Sequence, residues 1–162
     1  MIFLTVGTQI SFDRLVKAVD EAVGRGQIAE EIYAQIGRGL YQPRNFRATS
    51  FIEKDLFDKH IRQASCVISH AGIGIITAVL DNNKSLLVMP RRRKYGEAVN
   101  DHQVAIAEKF EELGHLLVAY HEEDLPEKIA KLKSFVPRVR DNDTKAVINK
   151  ISEFINFVNL SV

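Results

Sequence analysis

Short runs of aliphatic and β-branched residues alternate along this chain with longer segments of helical period, and no other feature restricts the fold as much. Residues 2–6 read as a buried strand. Phe12, Leu15, Val16, Val19, Ala22 and Val23 then recur at three- and four-residue spacing, which is one face of a helix. Ser11 stands where an N-cap belongs, and Gly24 and Gly26 where a helix stops. The same reading gives strands over 32–36, 48–52, 65–69, 85–89 and 116–119. Helices are predicted over 55–64, 72–82, 100–113, 123–133 and 144–158, with Ile106, Ala107, Phe110 and Leu113 turned inward in the one over 100–113. Strands that are apolar throughout and alternate with helices predict an α/β fold, a doubly wound parallel sheet covered on both faces. At 162 residues and 46% apolar composition, the chain suits a single domain over 1–162.

Several function classes drop out early. A formal charge of +1 gives no global attraction to nucleic acid or to a membrane surface. No run approaches the roughly 20 apolar residues of a membrane span, and the apolar start ends at Gly7 without a basic segment before it. The lone Cys66 has no partner for an internal disulfide and sits in an apolar run, where a buried strand residue is expected. The expectation is a soluble protein of a reducing cytoplasm.

In doubly wound sheets, ligands bind beyond the carboxyl ends of the strands, which selects three loops. Ser69-His70-Ala71-Gly72-Ile73-Gly74 joins a strand to a helix, and its glycines suit either a close approach of backbone N–H groups to an anion or simply a tight turn. Gly7-Thr8-Gln9 offers a second glycine turn, where Thr8 either donates to a phosphate or leads into the next helix. The third loop holds Arg91-Arg92-Arg93-Lys94, read as a phosphate clamp, a lipid-facing patch or plain solvated loop. Asn100 or Asp101 caps the following helix, and the Gln103 amide suits paired hydrogen bonds to sugar hydroxyls. A dehydrogenase is disfavoured: no G-x-G-x-x-G follows the first strand, and no acidic residue stands where one would hold a ribose.

Ser69-His70-Ala71-Gly72-Ile73-Gly74, Pro90-Arg91 and Asp101-His102-Gln103 together resemble the C-terminal domain of glycosyltransferase family 28. Thr5-Val6-Gly7-Thr8, Lys94-Tyr95-Gly96-Glu97 and the run from Ile106 to His115 resemble the small PssE-type subunits of bacterial exopolysaccharide synthesis. The small subunit of the eukaryotic dolichol-linked N-acetylglucosamine transferase is also similar. The resemblance implies one half of a GT-B fold: the donor-binding half of an inverting, UDP-sugar-dependent hexosyltransferase. A membrane-anchored PssD-type subunit would then supply the lipid-linked acceptor and the general base, with His70 as the alternative base, and recruit this chain to the inner face of the membrane. Around the donor would lie Gly7, Thr8, Ser69, His70, Ala71, Gly72, Gly74, Arg91, Asp101, His102 and Gln103.

No metal or other cofactor is expected, the Asp141-Asn142-Asp143 spacing reading as a helix cap. Related MurG-like domains place a ribose-binding glutamate where this chain has Ala78, and Asp81 lies one turn further on. The rival reading is a non-catalytic enhancer of a partner transferase. The apolar tail over 157–162 suits core packing or partner docking.

Overall fold

The computed structural model describes residues 1–138, so the expected cap at 141–143, the helix over 144–158 and the tail over 157–162 lie outside the described residues. The elements are β1 (Ile2–Thr5), α1 (Asp13–Gly24), β2 (Ile32–Gln35), β3 (Arg47–Thr49), α2 (Lys54–Gln63), β4 (Cys66–His70), α3 (Ile73–Asp81), β5 (Ser85–Met89), α4 (His102–Glu112), β6 (Leu117–Val118) and α5 (Leu125–Leu132). All strand pairs are parallel, in the order β3-β2-β1-β4-β5-β6. This is the doubly wound sheet that the alternation predicts.

Period-two alternation divides the strands between two cores. Ile2, Leu4, Ala34 and Ile68 meet α1 and α5 on one face. Phe3, Val67, Leu86 and Val88 meet α2, α3 and α4 on the other. Each fully buried aliphatic side chain contributes roughly 1.5–3 kcal/mol, and this two-sided burial holds the carboxyl edge of the sheet in place. Cys66 is buried within β4, as expected, and burial pushes its thiol pKa up.

Several expectations change. Helix α1 begins at Asp13, and its cap position is Phe12, with no side-chain cap bond; Phe12 is drawn into the core and Ser11 is left exposed. The third strand ends at Thr49, where the Thr49 hydroxyl donates to the Phe51 carbonyl at 3.2 Å and turns the chain. Asp101 occupies the cap position of α4 without capping it, because its Oδ1 accepts from the Arg93 N–H at 2.8 Å; Asn100 Oδ1 accepts from His102 N instead. Leu113 is exposed, lying just past the end of that helix.

The long connection between β2 and β3 is stapled to α1 by two aspartates. Buried Asp20 accepts from the Tyr41 hydroxyl at 2.8 Å and from the Asn45 and Arg44 amides at 2.8 and 3.1 Å. Burial opposes its charge, yet these donors hold its pKa below the ordinary carboxylate value. Asp13 accepts from the Leu40 amide at 3.0 Å.

Candidate functional site

The strand order reverses between β1 and β4, so their outgoing loops diverge to opposite faces and leave a crevice at the carboxyl edge. Two chambers open there. One, of about 370 Å³, is walled by Phe51, Ile52, Phe57, Ile75 and Ala78 and is mainly apolar. The other, of about 280 Å³, is edged by Gln9, Ile10, Arg91 and Gln103. Gly7, Thr8 and His70 line both, so the chambers meet across them.

The floor is built from residues level with one another in the sheet. Register pairs Thr5 with both Gln35 and Ser69. The Thr5 hydroxyl donates to Gln35 Oε1 at 2.5 Å, and the Gln35 amide donates to the Gly7 carbonyl at 3.3 Å. Gly7 has φ +77°, a left-handed conformation that disfavours any side chain. Its turn is thus fixed from below by a buried amide on the neighbouring strand. Gln35 was not among the residues singled out by motif, although an amide at the end of a buried strand is itself a signal.

His70 ends β4 and stands in the crevice. A Cβ on Gly72 would lie 2.9 Å from its Cδ2 and closer still to its Nε2, and one on Gly7 would lie 3.1 Å from its Cε1. The two glycines therefore make room for the imidazole between them. Burial, together with the positive charge of Arg91, lowers the His70 pKa to about 4, with the Thr5 carbonyl partly opposing. The ring is neutral near pH 7. Ser69 Oγ lies 3.3 Å from its Nδ1.

The basic loop is divided: Arg93 and Lys94 are exposed, whereas Arg91 is turned inward. Arg91 is 4% exposed and donates Nη2 to the carbonyls of Val6 at 2.7 Å and Ile10 at 2.5 Å. It is a buried tie to the β1 turn rather than a solvated cation, reaching from the end of β5 past β4, which lies between β5 and β1 in the sheet. Gln103 Oε1 accepts from the Arg91 amide at 3.2 Å. Glu97 is held by Arg14 through Nε at 2.6 Å and Nη2 at 2.9 Å, and also accepts from the Arg92 amide. Arg14 further reaches the Pro90 carbonyl and stacks over Tyr95.

Of the residues singled out in the sequence, Gly7, Thr8, His70, Gly74, Arg91 and Gln103 come together around the two chambers. Ser69 and Ala71 are fully buried and line neither. Asp101 and His102 are exposed at the start of α4 and also line neither. Gly72 caps α3 behind the imidazole. Ala78 forms part of the apolar wall. Among the described residues, no group of three or more His, Cys, Asp or Glu side chains is placed to hold a metal ion, and no helix is long and apolar enough to cross a membrane.

The sequence profile of the glycosyltransferase family 28 C-terminal domain matches residues 1–158. This chain belongs to that family. A mouse relative, UDP-N-acetylglucosamine transferase subunit ALG13, is 36% identical over 126 residues, covering 70% of this chain and 10% of its own length. The family 28 chain thus spans only a tenth of that relative. Among solved structures, MurG of Acinetobacter baumannii superposes with a TM-score of 0.65 at 20% identity, over 93% of this chain and 49% of MurG. The solution structure of ALG13 superposes with a TM-score of 0.56 at 21% identity, over 89% of this chain and 91% of that one. At these identities the superpositions establish the fold: one Rossmann-like half of the GT-B architecture.

Proposed function

We propose that this chain is the donor-binding part of a two-subunit inverting glycosyltransferase, transferring a sugar from a UDP-sugar to a lipid-linked acceptor in bacterial exopolysaccharide or capsule synthesis. The observation that carries the reading is the pair of chambers meeting at Gly7, Thr8 and His70 at the strand-order reversal. The apolar chamber takes the flat base against Phe51 and Ile75. The junction takes the diphosphate, with the Gly72–Gly74 start of α3 offering backbone N–H groups and the favourable helix-dipole end. The polar chamber takes the sugar against Gln103. As the acceptor hydroxyl attacks the anomeric carbon, negative charge grows on the departing diphosphate, and pre-set N–H donors lower that barrier. A neutral His70 serves as a hydrogen-bonding wall there, and the general base comes from the partner. The reading uses no metal.

A partner is supported by the rim. Ile10, Leu40, Phe51, Ile73, Tyr95 and Val99 are exposed, and all follow the carboxyl ends of strands, with Ile10 and Phe51 lining the chambers themselves. Leu40 is 93% and Val99 87% exposed. Exposed apolar side chains gathered at one edge of the sheet suit a covering protein surface, and the mouse relative's name describes a transferase subunit. In this reading the partner is a membrane-anchored PssD-type subunit, which holds this chain at the inner face of the membrane. The bacterial setting is supported by the resemblance of Lys94-Tyr95-Gly96-Glu97 to PssE-type chains.

Calorimetric titration of the chain with UDP, ADP and GDP tests the donor site. UDP-selective binding, weakened about 3- to 10-fold by Phe51→Ala, is the expected result. Equal binding of all three nucleotides would reduce the cleft to a generic phosphate site.

A further inference from the structure

Gly7 lines both chambers, and its φ of +77° is one of several basins that glycine occupies about equally well. Something outside the residue must therefore choose among them. Two fully buried side chains engage both of its backbone polar groups. The Gly7 N–H donates to Thr5 Oγ1 at 3.3 Å, the Thr5 hydroxyl donates to Gln35 Oε1 at 2.5 Å, and the Gln35 amide donates back to the Gly7 carbonyl at 3.3 Å. The ring closes in one sense only. The hydroxyl has a single hydrogen, which goes to the amide oxygen, so the amide nitrogen is the atom turned to Gly7. The Gly7 carbonyl is also closely seated: a Cβ on Gly37, which has φ +64°, would lie 3.2 Å from its oxygen. Arg91 holds the carbonyls of Val6 and Ile10 to either side.

The next two residues, Thr8 and Gln9, are exposed and edge the polar chamber, and among the described residues no protein group accepts from their backbone N–H groups. We propose that Thr5 and Gln35 are positioning residues for the donor diphosphate: their ring sets the Gly7 turn, and the turn presents the Thr8 and Gln9 N–H groups to the phosphate oxygens. The proposal rests on the placement of base and diphosphate given above, which puts the diphosphate at the junction. Thr5 lines neither chamber and acts wholly through Gly7 and Gln35. Donors held in place before the ligand arrives lose little freedom when it binds. A glycine turn left to sample its other basins would have to be ordered by the ligand, at a cost in affinity. That cost falls on the diphosphate, because the apolar chamber is walled largely by residues outside the turn, among them Phe51, Phe57 and Ile75.

Uridine and UDP share base and ribose and differ in the diphosphate, so the ratio of their dissociation constants isolates the diphosphate's share. Thr5→Val keeps the branched shape and removes the hydroxyl from the ring. NMR titration should show UDP weakened about 3- to 10-fold and uridine changed by less than about twofold. Thr5→Ser, which keeps the hydroxyl, should bind UDP within about twofold of the unaltered chain. Gln35→Met, unbranched and of similar length, breaks both bonds of the amide and should lower the same ratio at least as far; it carries the comparison if Thr5→Val fails to fold. A purely structural role would lower the melting temperature of Thr5→Val and leave the ratio of UDP to uridine affinity unchanged, and that result would overturn the proposal. Equal weakening of uridine and UDP would overturn it too, by placing the effect in the base chamber. In both cases the unaltered chain still binds UDP and the donor site stands. An unaltered chain that does not bind UDP would overturn the donor-site reading, and the positioning role with it.

Discussion

Replacing Gly72 by alanine tests how the cleft is assembled. The residue has φ −83° and ψ 135°, an extended conformation open to any side chain, so the substitution adds no backbone strain. What it adds is a methyl 2.9 Å from His70 Cδ2 and closer still to Nε2, where ordinary contact is 3.4–4 Å. Gly7 closes the other side of the imidazole and Ser69 Oγ lies 3.3 Å from Nδ1, so the ring can retreat only into the chambers that it lines, giving up its present seat. Overpacking of this kind costs about 1–3 kcal/mol. For a domain of this size that lowers the melting temperature by about 3–10 °C.

Gly74→Ala is the control. A Cβ there meets nothing within 4 Å, and the residue lies in α3, so alanine is neutral or stabilising by about 0.5–1 kcal/mol. A double-mutant cycle with His70→Ala should return a coupling of about 1 kcal/mol or more for Gly72→Ala. If Gly72→Ala melts with the unaltered protein, or is equally destabilising once the imidazole is gone, the steric argument fails.

Other consequences are open to direct measurement. The folded-state pKa of His70, about 4, lies below the ordinary 6.5, so between those values the unfolded chain binds a proton that the folded chain does not. Stability from this group is therefore present above pH 6.5 and lost as pH falls toward 4; a titration of the imidazole by NMR with a midpoint near 6.5 would contradict this. Arg14→Met strips Glu97 of its cation at a pair whose side chains are only 12% and 10% exposed, and should lower stability by about 2–3 kcal/mol in urea denaturation. Removing Glu97 as well, as Glu97→Gln, should restore part of that loss. Leu40→Ser with Val99→Ser should leave melting unchanged within about 0.5 kcal/mol yet weaken association with the acceptor-binding partner, read by sedimentation of the pair. Undiminished association would place the docking surface elsewhere.

Much of the architecture is decided by periodicity alone. Residues 2–4 and 66–68 are apolar without interruption because both faces of a parallel strand are buried, and 12–23 carry the helical period because only one face of α1 is. From alternation of this kind follow the parallel sheet, its carboxyl edge and the loops that gather there. Gly7, Thr8, His70 and Gln103 were therefore accessible as candidates before any coordinates. The character of those loops was not. Arg91 reads in the sequence as one of four adjacent cations, whereas the fold buries it against the carbonyls of residues 81 and 85 positions away. Gly72 reads as part of an anion cradle, and the fold also makes it the space an imidazole needs. Gln35 and Glu97 were not read as parts of the site, because their partners, Thr5 and the Gly7 carbonyl for one and Arg14 for the other, lie far away in the chain. Periodicity records whether a position is buried, a property of one element and its neighbours in sequence. Which polar groups meet inside depends on strand order and register, and these are settled only when segments far apart in the chain pack together.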